Sequence, residues 1–273
     1  MNRFEKLQQS IDELADSTMS SARSEYLDAL DESRNVLRKY ADKYGSLEEE
    51  VLRQNNALIP LENELARAAE SVRNQVSTLT TGMLRETYTN SYDKTAEMIN
   101  AISDINLNLQ PTREVLEQVI DERVGGMSLT ERLNTNRKRF VDDVVNTIES
   151  DLKAGKTYSQ MSNKLQERFE VDINSANRVV RTESHRVMEA SKKQSVDDAV
   201  NQGVEMLKWW LTSQDERVRS DHIALSEMYS ENNAIPTDDL FEFDGMTAQH
   251  PGDWGAPSMD INCRCIVAYK VKE

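Results

Sequence analysis

Four side chains near the C-terminus carry donor atoms that transition metals prefer: His222, His250, Cys263 and Cys265. The cysteines form a Cys-x-Cys within a β-prone run. Because alternate residues of a strand face the same side, both sulfur atoms can be presented together while Arg264 faces away. Two thiolates and two imidazoles suit tetrahedral zinc. The pattern therefore predicts a candidate zinc site and no other cofactor.

The spacing of the cysteines leaves two other interpretations open. Paired zinc-binding cysteines usually have two to four residues between them, whereas one residue separates Cys263 from Cys265. The thiols could instead be reduced and packed in the core, as in cytosolic proteins. A reactive cysteine needs a lowered pKa, and the acidic segment around His222 and His250 is expected to raise it.

His222 is expected to point inwards from a short helix. With Asp215 as the N-cap of this helix, Val218, His222 and Leu225 lie on one face. An inward histidine is more often a hydrogen-bonded core residue than a ligand. The two cysteines are what make His222 a candidate ligand.

Glu183 interrupts an apolar stripe on a predicted helix. The stripe consists of Ala176, Val180, Glu183, Val187 and Ala190. Because an unpaired buried charge is costly, Glu183 should either pair with an arginine, for which Arg217 and Arg219 are candidates, or accept hydrogen bonds from backbone donors. The sequence thus predicts a buried ion pair, with a general acid or base as the alternative.

We find no motif that predicts catalysis. The sequence contains no Walker loop, dinucleotide glycine fingerprint, His-Glu-x-x-His or Gly-x-Ser-x-Gly. The acidic run from Asp238 to Asp244 lacks the alternating Asp/Asn loop of a calcium site. We therefore assign no catalytic residues.

The charge of the chain is strongly negative, with 33 Lys and Arg against 48 Asp and Glu in 273 residues, a net −15. Residues 1–126 and 209–262 each carry −9, whereas residues 127–208 are near neutral. Phosphate contacts need clustered Lys and Arg, so strong nucleic-acid binding is not expected. The N-terminus is amphipathic and acidic, and Lys208 interrupts the longest apolar cluster, so neither a secretion signal nor a membrane span is predicted.

The sequence before the candidate ligands predicts long helices, which would hold those side chains in place. Narrow apolar seams at steps of three and four residues run through the first hundred residues, with a helix stop at Gly45. Such a seam cannot bury a whole helix alone and implies a partner, either the next helix or another chain. Self-association through these N-terminal helices is one expectation.

The remaining sequence predicts three further helices and a small sheet. Capping-box patterns begin at Ser128 and Thr157, and a third helix runs from about Asp172 to Asn201. The predicted fold is mainly α: an extended amphipathic helical arm (1–110), a three-helix segment (111–206), and a C-terminal α+β cap with the Cys-x-Cys (207–273).

Six pieces of the sequence, in this order, recur in a known family. They are GMSLTERLNTNRKRF, LKAGKTYSQMSNKLQERF, RVVRTES, WWLTSQDERVRSDH, HPGDW and INCRC. From about Gly126 to Tyr269 the chain resembles the phage Mu F-like minor head proteins, also called phage head morphogenesis proteins. Besides the four candidate ligands, the recurring positions include Arg181, Thr182, Glu183, Asp215, Arg217, Arg219 and Asn262. The resemblance implies that these residues stabilise the fold.

The resemblance also implies a non-enzymatic, low-copy protein of the virion. Such a protein associates with the portal vertex or the inner capsid during head assembly and genome packaging or delivery. Its expected partners are the portal protein, the major capsid protein or a scaffold protein, with assembly in the host cytoplasm. No membrane partner is expected.

Two other functions compete with this interpretation. Mu F-like segments resemble parts of larger toxin chains, including ADP-ribosyltransferases, but the typical Arg, Ser-Thr-Ser and Glu-x-Glu trio of that enzyme family is missing. A DNA-binding or DNA-ejection protein would use the near-neutral middle helices. The net charge of −15 disfavours that second alternative.

Overall fold

The chain is described by a computed structural model over residues 3–103, 107–122, 127–213 and 215–272, with only the backbone at residues 73 and 74. Gly126, where the resemblance begins, lies outside these ranges. The helices are α1 (Arg3–Tyr44), α2 (Glu49–Gln54), α3 (Leu58–Asn100), α4 (Arg113–Asp121), α5 (Leu129–Lys153), α6 (Tyr158–Asn201), α7 (Ser220–Met228) and α8 (Pro257–Asp260). The strands are β1 (Met206–Leu211), β2 (Ile235–Pro236), β3 (Phe241–Phe243), β4 (Met246–Ala248) and β5 (Ile266–Val271). This order confirms the mainly α fold with a small C-terminal α+β part.

The ends of the helices follow local signals in the sequence. Helix α1 stops immediately before Gly45, as predicted. At the start of α6, the backbone N–H of Thr157 donates to Gln160 Oε1 (2.9 Å), and the N–H of Gln160 donates to Thr157 Oγ1 (3.3 Å). These reciprocal bonds are the predicted capping box.

Two helix predictions differ from the structure. Residues 158–201, where two successive helices are expected, form the single helix α6, because neither Gly nor Pro interrupts them. Asp215 is not the N-cap of α7, which begins at Ser220 after Arg219. The Asp215 carboxylate instead accepts a hydrogen bond from the N–H of Arg217 (2.9 Å) and pairs with Arg264.

The chain divides into two compact units that are assembled from non-consecutive segments. The first unit consists of Met1–Ser17, Thr81–Ser128 and Arg178–Glu273, and the second of Thr18–Thr80 and Leu129–Asn177. Helices α1, α3 and α6 contribute residues to both units. The boundaries at residues 110 and 206, which separate consecutive segments, stay a prediction.

The core of the second unit covers the apolar seams of the front helices. The buried side chains that meet there include Leu30, Leu37, Leu61, Leu65, Phe140, Val144, Leu165 and Phe169. The rings of Phe140 and Phe169 pack edge to face with centroids 4.9 Å apart. The sequence predicted that either a neighbouring helix or another chain would bury these seams. In the second unit, helices of the same chain bury them.

The first unit contains the sheet that positions the candidate ligands. Strand β1 pairs with β5 over its full length, from Met206 opposite Val271 to Leu211 opposite Ile266, and β2 lies on its other side. Strands β3 and β4 form a separate hairpin whose turn, Asp244-Gly245, has positive φ at both residues. Trp210 packs between these parts, 5.2 Å from Phe241 and 5.9 Å from Trp254 between ring centroids. In the part of the chain that the structure describes, no helix has the length and apolar character to span a membrane.

Candidate metal centre

The two cysteines lie immediately before strand β5, where their side chains turn into the core. Cys263 and Cys265 are both buried, whereas Arg264 between them is partly exposed and pairs with Asp215. This is the alternation that the Cys-x-Cys predicts. The Arg264 guanidinium holds the pKa of the Asp215 carboxyl at about 2, below its ordinary value. The ion pair therefore fixes the residue between the cysteines to the loop that precedes α7.

His222 brings an imidazole from α7 to both sulfur atoms. Its Nδ1 lies 3.2 Å from Cys265 Sγ and 3.5 Å from Cys263 Sγ. His222 is buried, and its ring packs edge to face on Trp210. The donor atoms of these three residues all lie within 4.8 Å of one another, so the cluster could hold a metal ion.

The two thiols influence each other's protonation. Their mutual hydrogen bond lowers the pKa of Cys265, and Trp210 acts in the same direction. The same hydrogen bond, together with burial, raises the pKa of Cys263 to about 11. The sequence predicted that the acidic segment raises the thiol pKa values. The pKa of Cys263 is raised, but by the hydrogen bond with Cys265 and by burial, and the pKa of Cys265 is lowered because one thiol stabilises the thiolate of the other.

His250, the fourth predicted ligand, lies outside this three-residue cluster. Its Nδ1 is 3.0 Å from the carbonyl oxygen of Pro251, and burial lowers its pKa. Gly252 follows with φ +89° and passes so close to α6 that a Cβ would lie 3.3 Å from Arg186. The His-Pro-Gly segment therefore packs against α6 instead of turning its imidazole toward the sulfur atoms.

His185 on α6 lines the same cavity as Cys263 but, like His250, lies outside the three-residue cluster. It is buried, and it lowers the pKa of Cys263. Apart from a polar contact with the Cys263 thiol, neither of its ring nitrogens has a hydrogen-bond partner among the described residues. The sequence offered little signal for His185, because it does not belong to the stripe through Glu183.

Glu183 forms a buried ion pair, as predicted, but with a different cation. Its Oε2 lies 3.1 Å from the guanidinium of Arg186, one helical turn further along α6. Arg186 also contacts Glu122 at 2.8 Å. Arg219, one of the two predicted partners, donates instead to the carbonyl oxygens of Met259 and Ile261. Because Glu183 and Arg186 are three residues apart on one helix, their side chains can pair without a partner from another element.

Several recurring positions meet around one cavity of about 530 Å³ that borders Cys263. Its walls include Arg181, Arg217, Arg219, Asn262 and Arg264. Arg181 lies 3.4 Å from Asp16 of α1. Thr182 accepts a hydrogen bond from the N–H of Asn262 (3.3 Å), which joins α6 to the loop before the cysteines. These contacts are structural links between α6, the α7 loop and the Cys-x-Cys.

A buried ion pair that sequence reasoning missed lies beside these links. Lys192 Nζ contacts Glu189 Oε1 at 2.6 Å and donates to the carbonyl oxygen of Val267 at 2.7 Å. Glu189 Oε2 accepts from the N–H of Val267 at 3.0 Å. Burial lowers the pKa of Lys192. This pair joins α6 to strand β5, the strand that directly follows the cysteines.

Comparison with known proteins finds similarity to phage head proteins. Residues 142–268 match the family described as phage Mu protein F like protein. The chain is 26% identical over 245 residues to the minor head protein GP7 of Bacillus phage SPP1, covering 88% of this chain and 73% of that protein. These matches bear out the predicted resemblance to the phage Mu F-like minor head proteins, and the family model covers residues 142–268 of the chain.

A second relative is an enzyme. The chain is 28% identical over 152 residues to the NAD(+)–arginine ADP-ribosyltransferase EFV of Enterococcus faecalis, covering 56% of this chain and 30% of that protein. The similarity is thus limited to a minor part of the enzyme. No solved structure gives a significant match.

Proposed function

We propose that this chain is a non-enzymatic minor head protein that associates with the portal vertex or the inner capsid. In this role it acts during head assembly and genome packaging or delivery, with the portal, major capsid or scaffold protein as partner. Its C-terminal part keeps a cluster of ligands compatible with zinc. One observation carries the proposal: the alignment with a minor head protein spans 88% of the chain and includes residues of both compact units.

The buried state of the polar residues supports a non-enzymatic role. Glu183 of the Arg-Thr-Glu sequence is fully buried and paired with Arg186, so it is not presented to a substrate. Cys265 has a lowered pKa but is also buried. A nucleophile or a general base needs access to its substrate, which neither group has. The match to the ADP-ribosyltransferase, limited to 30% of that protein, is compatible with a shared non-catalytic part.

Co-sedimentation tests the proposal. The tagged full-length chain is co-expressed with the portal, major capsid and scaffold proteins of its phage, and the particles are separated on a sucrose gradient. We expect the chain to sediment with portal-containing procapsids. Particles assembled without the portal protein serve as the matched control: loss of the chain from them assigns it to the portal, and its retention assigns it to the inner shell.

Two results would contradict the proposal. The chain could remain at the top of the gradient with both kinds of particle, which would remove the association with the head. Alternatively, the purified chain could turn over labelled NAD above the level of a heat-killed sample, which would remove the non-enzymatic role. A salt-dependent shift of DNA is not expected, because the net charge is −15.

A further inference from the structure

The spacing of the donor atoms at His222, Cys263 and Cys265 matches the spacing around a tetrahedral zinc ion. With Zn–S bonds of about 2.3 Å and Zn–N bonds of about 2.0–2.1 Å, tetrahedral geometry places N and S about 3.6 Å apart. The two distances from His222 Nδ1 to the sulfur atoms are 3.2 and 3.5 Å. The protein therefore already holds His222 Nδ1 close to the N–S separation that the ion requires, with the two sulfur atoms within 4.8 Å of each other.

His185, a buried histidine on the side of Cys263, is the candidate fourth donor, although it lies outside the group of three residues whose donor atoms are within 4.8 Å of one another. His185 is 4% exposed and lines the same cavity as Cys263. Apart from a polar contact with the Cys263 thiol, neither ring nitrogen has a hydrogen-bond partner within the described ranges, which is a costly state for a buried imidazole. Coordination of a metal by one of them would remove this cost. His250, by contrast, has its Nδ1 beside the Pro251 carbonyl oxygen.

The electrostatics of this ligand set also favour a divalent ion. Two thiolates and two neutral imidazoles around Zn²⁺ have a net charge of zero, so the complex can be buried without an uncompensated charge. Apolar and aromatic side chains surround the cysteines in the core of the first unit, Trp210 and Trp254 among them. Four protein ligands leave no open position for a substrate, which is the arrangement of a structural site.

We propose that Cys263, Cys265, His222 and His185 bind one zinc ion, which fastens α6 and α7 to the start of strand β5. The metal adds a direct link among three elements that hydrogen bonds and ion pairs already connect in pairs. His185 replaces the His250 that the sequence pattern indicated. This site does not depend on the role of the protein in the phage head, and it is tested on the isolated chain.

Metal content and cobalt substitution test the site. The full-length chain is purified from zinc-supplemented medium, its zinc is measured by elemental analysis, and Co²⁺ is then exchanged into the protein. We expect about one zinc per chain and, with Co²⁺, the thiolate charge-transfer band and the intense visible bands of a tetrahedral site. His185→Gln should weaken metal binding at least about tenfold, since even the loss of an outer-shell partner costs ten- to a hundredfold.

His250→Gln is the matched control, because His250 is also a buried histidine but its Nδ1 already contacts the Pro251 carbonyl oxygen. This variant should keep the wild-type affinity and spectrum. If His185→Gln does not fold, X-ray absorption at the zinc edge of the wild-type protein counts the ligands directly. Two sulfur ligands and two imidazoles are expected. Less than about one tenth of an equivalent of zinc in the folded protein would overturn the site. A single coordinated imidazole, or a loss of affinity in His250→Gln alone, would overturn the assignment of His185.

Discussion

Lys208 is a basic residue whose side chain is buried in the core. In the sequence it interrupts an apolar cluster, and in strand β1 its side chain is buried. Its Nζ donates to the carbonyl oxygen of Gln249 (3.1 Å) and to Gln249 Oε1 (2.9 Å), and it lies 4.8 Å from the ring centroid of Phe241. Burial, helped by Lys193, lowers the pKa of Lys208 to about 8. The charged form is therefore disfavoured in the folded protein.

This lowered pKa makes the stability contribution of Lys208 dependent on pH. Above about pH 8 the folded protein releases the proton of Lys208. The unfolded chain keeps that proton up to about pH 10.4, so the free energy of unfolding rises with pH across this window. We expect the wild type to gain about 3 kcal/mol relative to Lys208→Met between pH 7 and pH 10.5. Urea unfolding of both proteins across this range measures the difference, and contributions of other titrating groups cancel in the comparison. A difference that stays constant with pH would contradict the expectation.

At the scale of elements, α6 protects the edge of the sheet. Strand β5 is an edge strand, and its unpaired N–H and C=O groups would invite another strand to pair. Glu189 and Lys192 of α6 occupy both groups of Val267. The ion pair thus replaces the hydrogen bonds that a neighbouring strand would otherwise supply.

Removing one partner of this pair should be strongly destabilising. Lys192→Met leaves the Glu189 carboxylate buried without its cation, which typically costs about 3–5 kcal/mol. The double variant Glu189→Gln with Lys192→Met should lose less than the sum of the single variants, because no charge is then left unpaired. Chemical denaturation measures all three proteins.

Lys193→Met is the control for this series. Lys193 is the adjacent residue and pairs with Asp197 on the partly exposed side of α6. Its loss should cost about 1 kcal/mol or less. Equal losses for Lys192→Met and Lys193→Met would show that the buried pair does not have the proposed role.

At the scale of the whole molecule, both compact units combine the front and the back of the chain. The second unit places Leu61 and Leu65 of α3 in one core with Phe140 of α5 and Phe169 of α6. The first unit packs Phe4 of α1 on Tyr269 of β5, with ring centroids 5.9 Å apart. Neither half of the sequence therefore contains a complete core.

The two halves should consequently fold only together. Residues 1–110 expressed alone should show no cooperative thermal transition by circular dichroism, because their apolar seams lose the cover that α5 and α6 provide. Co-expression with residues 111–273 should restore a soluble complex with one or two cooperative transitions. A compact, cooperatively melting monomer of residues 1–110 would contradict this account, since the front helices would then complete their burial without the rest of the chain.

The features that could be predicted from the sequence are those set by short stretches of chain. The stop before Gly45, the capping box at Thr157 and the strands that became β1 and β5 depend on backbone geometry within a few residues. The inward orientation of His222 and the alternation of Cys263, Arg264 and Cys265 are of the same kind. These local rules were sufficient for the fold class, and three of the four candidate ligands lie in one cluster.

The pairings between distant residues depend on packing. His185 rather than His250 stands beside Cys263, although 78 residues separate the pair in the sequence. Glu183 meets Arg186 instead of Arg217 or Arg219, and the seams of the front helices are covered by α5 and α6. Periodicity identifies which face of a helix is buried but not which element covers that face, because the covering element is chosen by how side chains from many segments fill the core together.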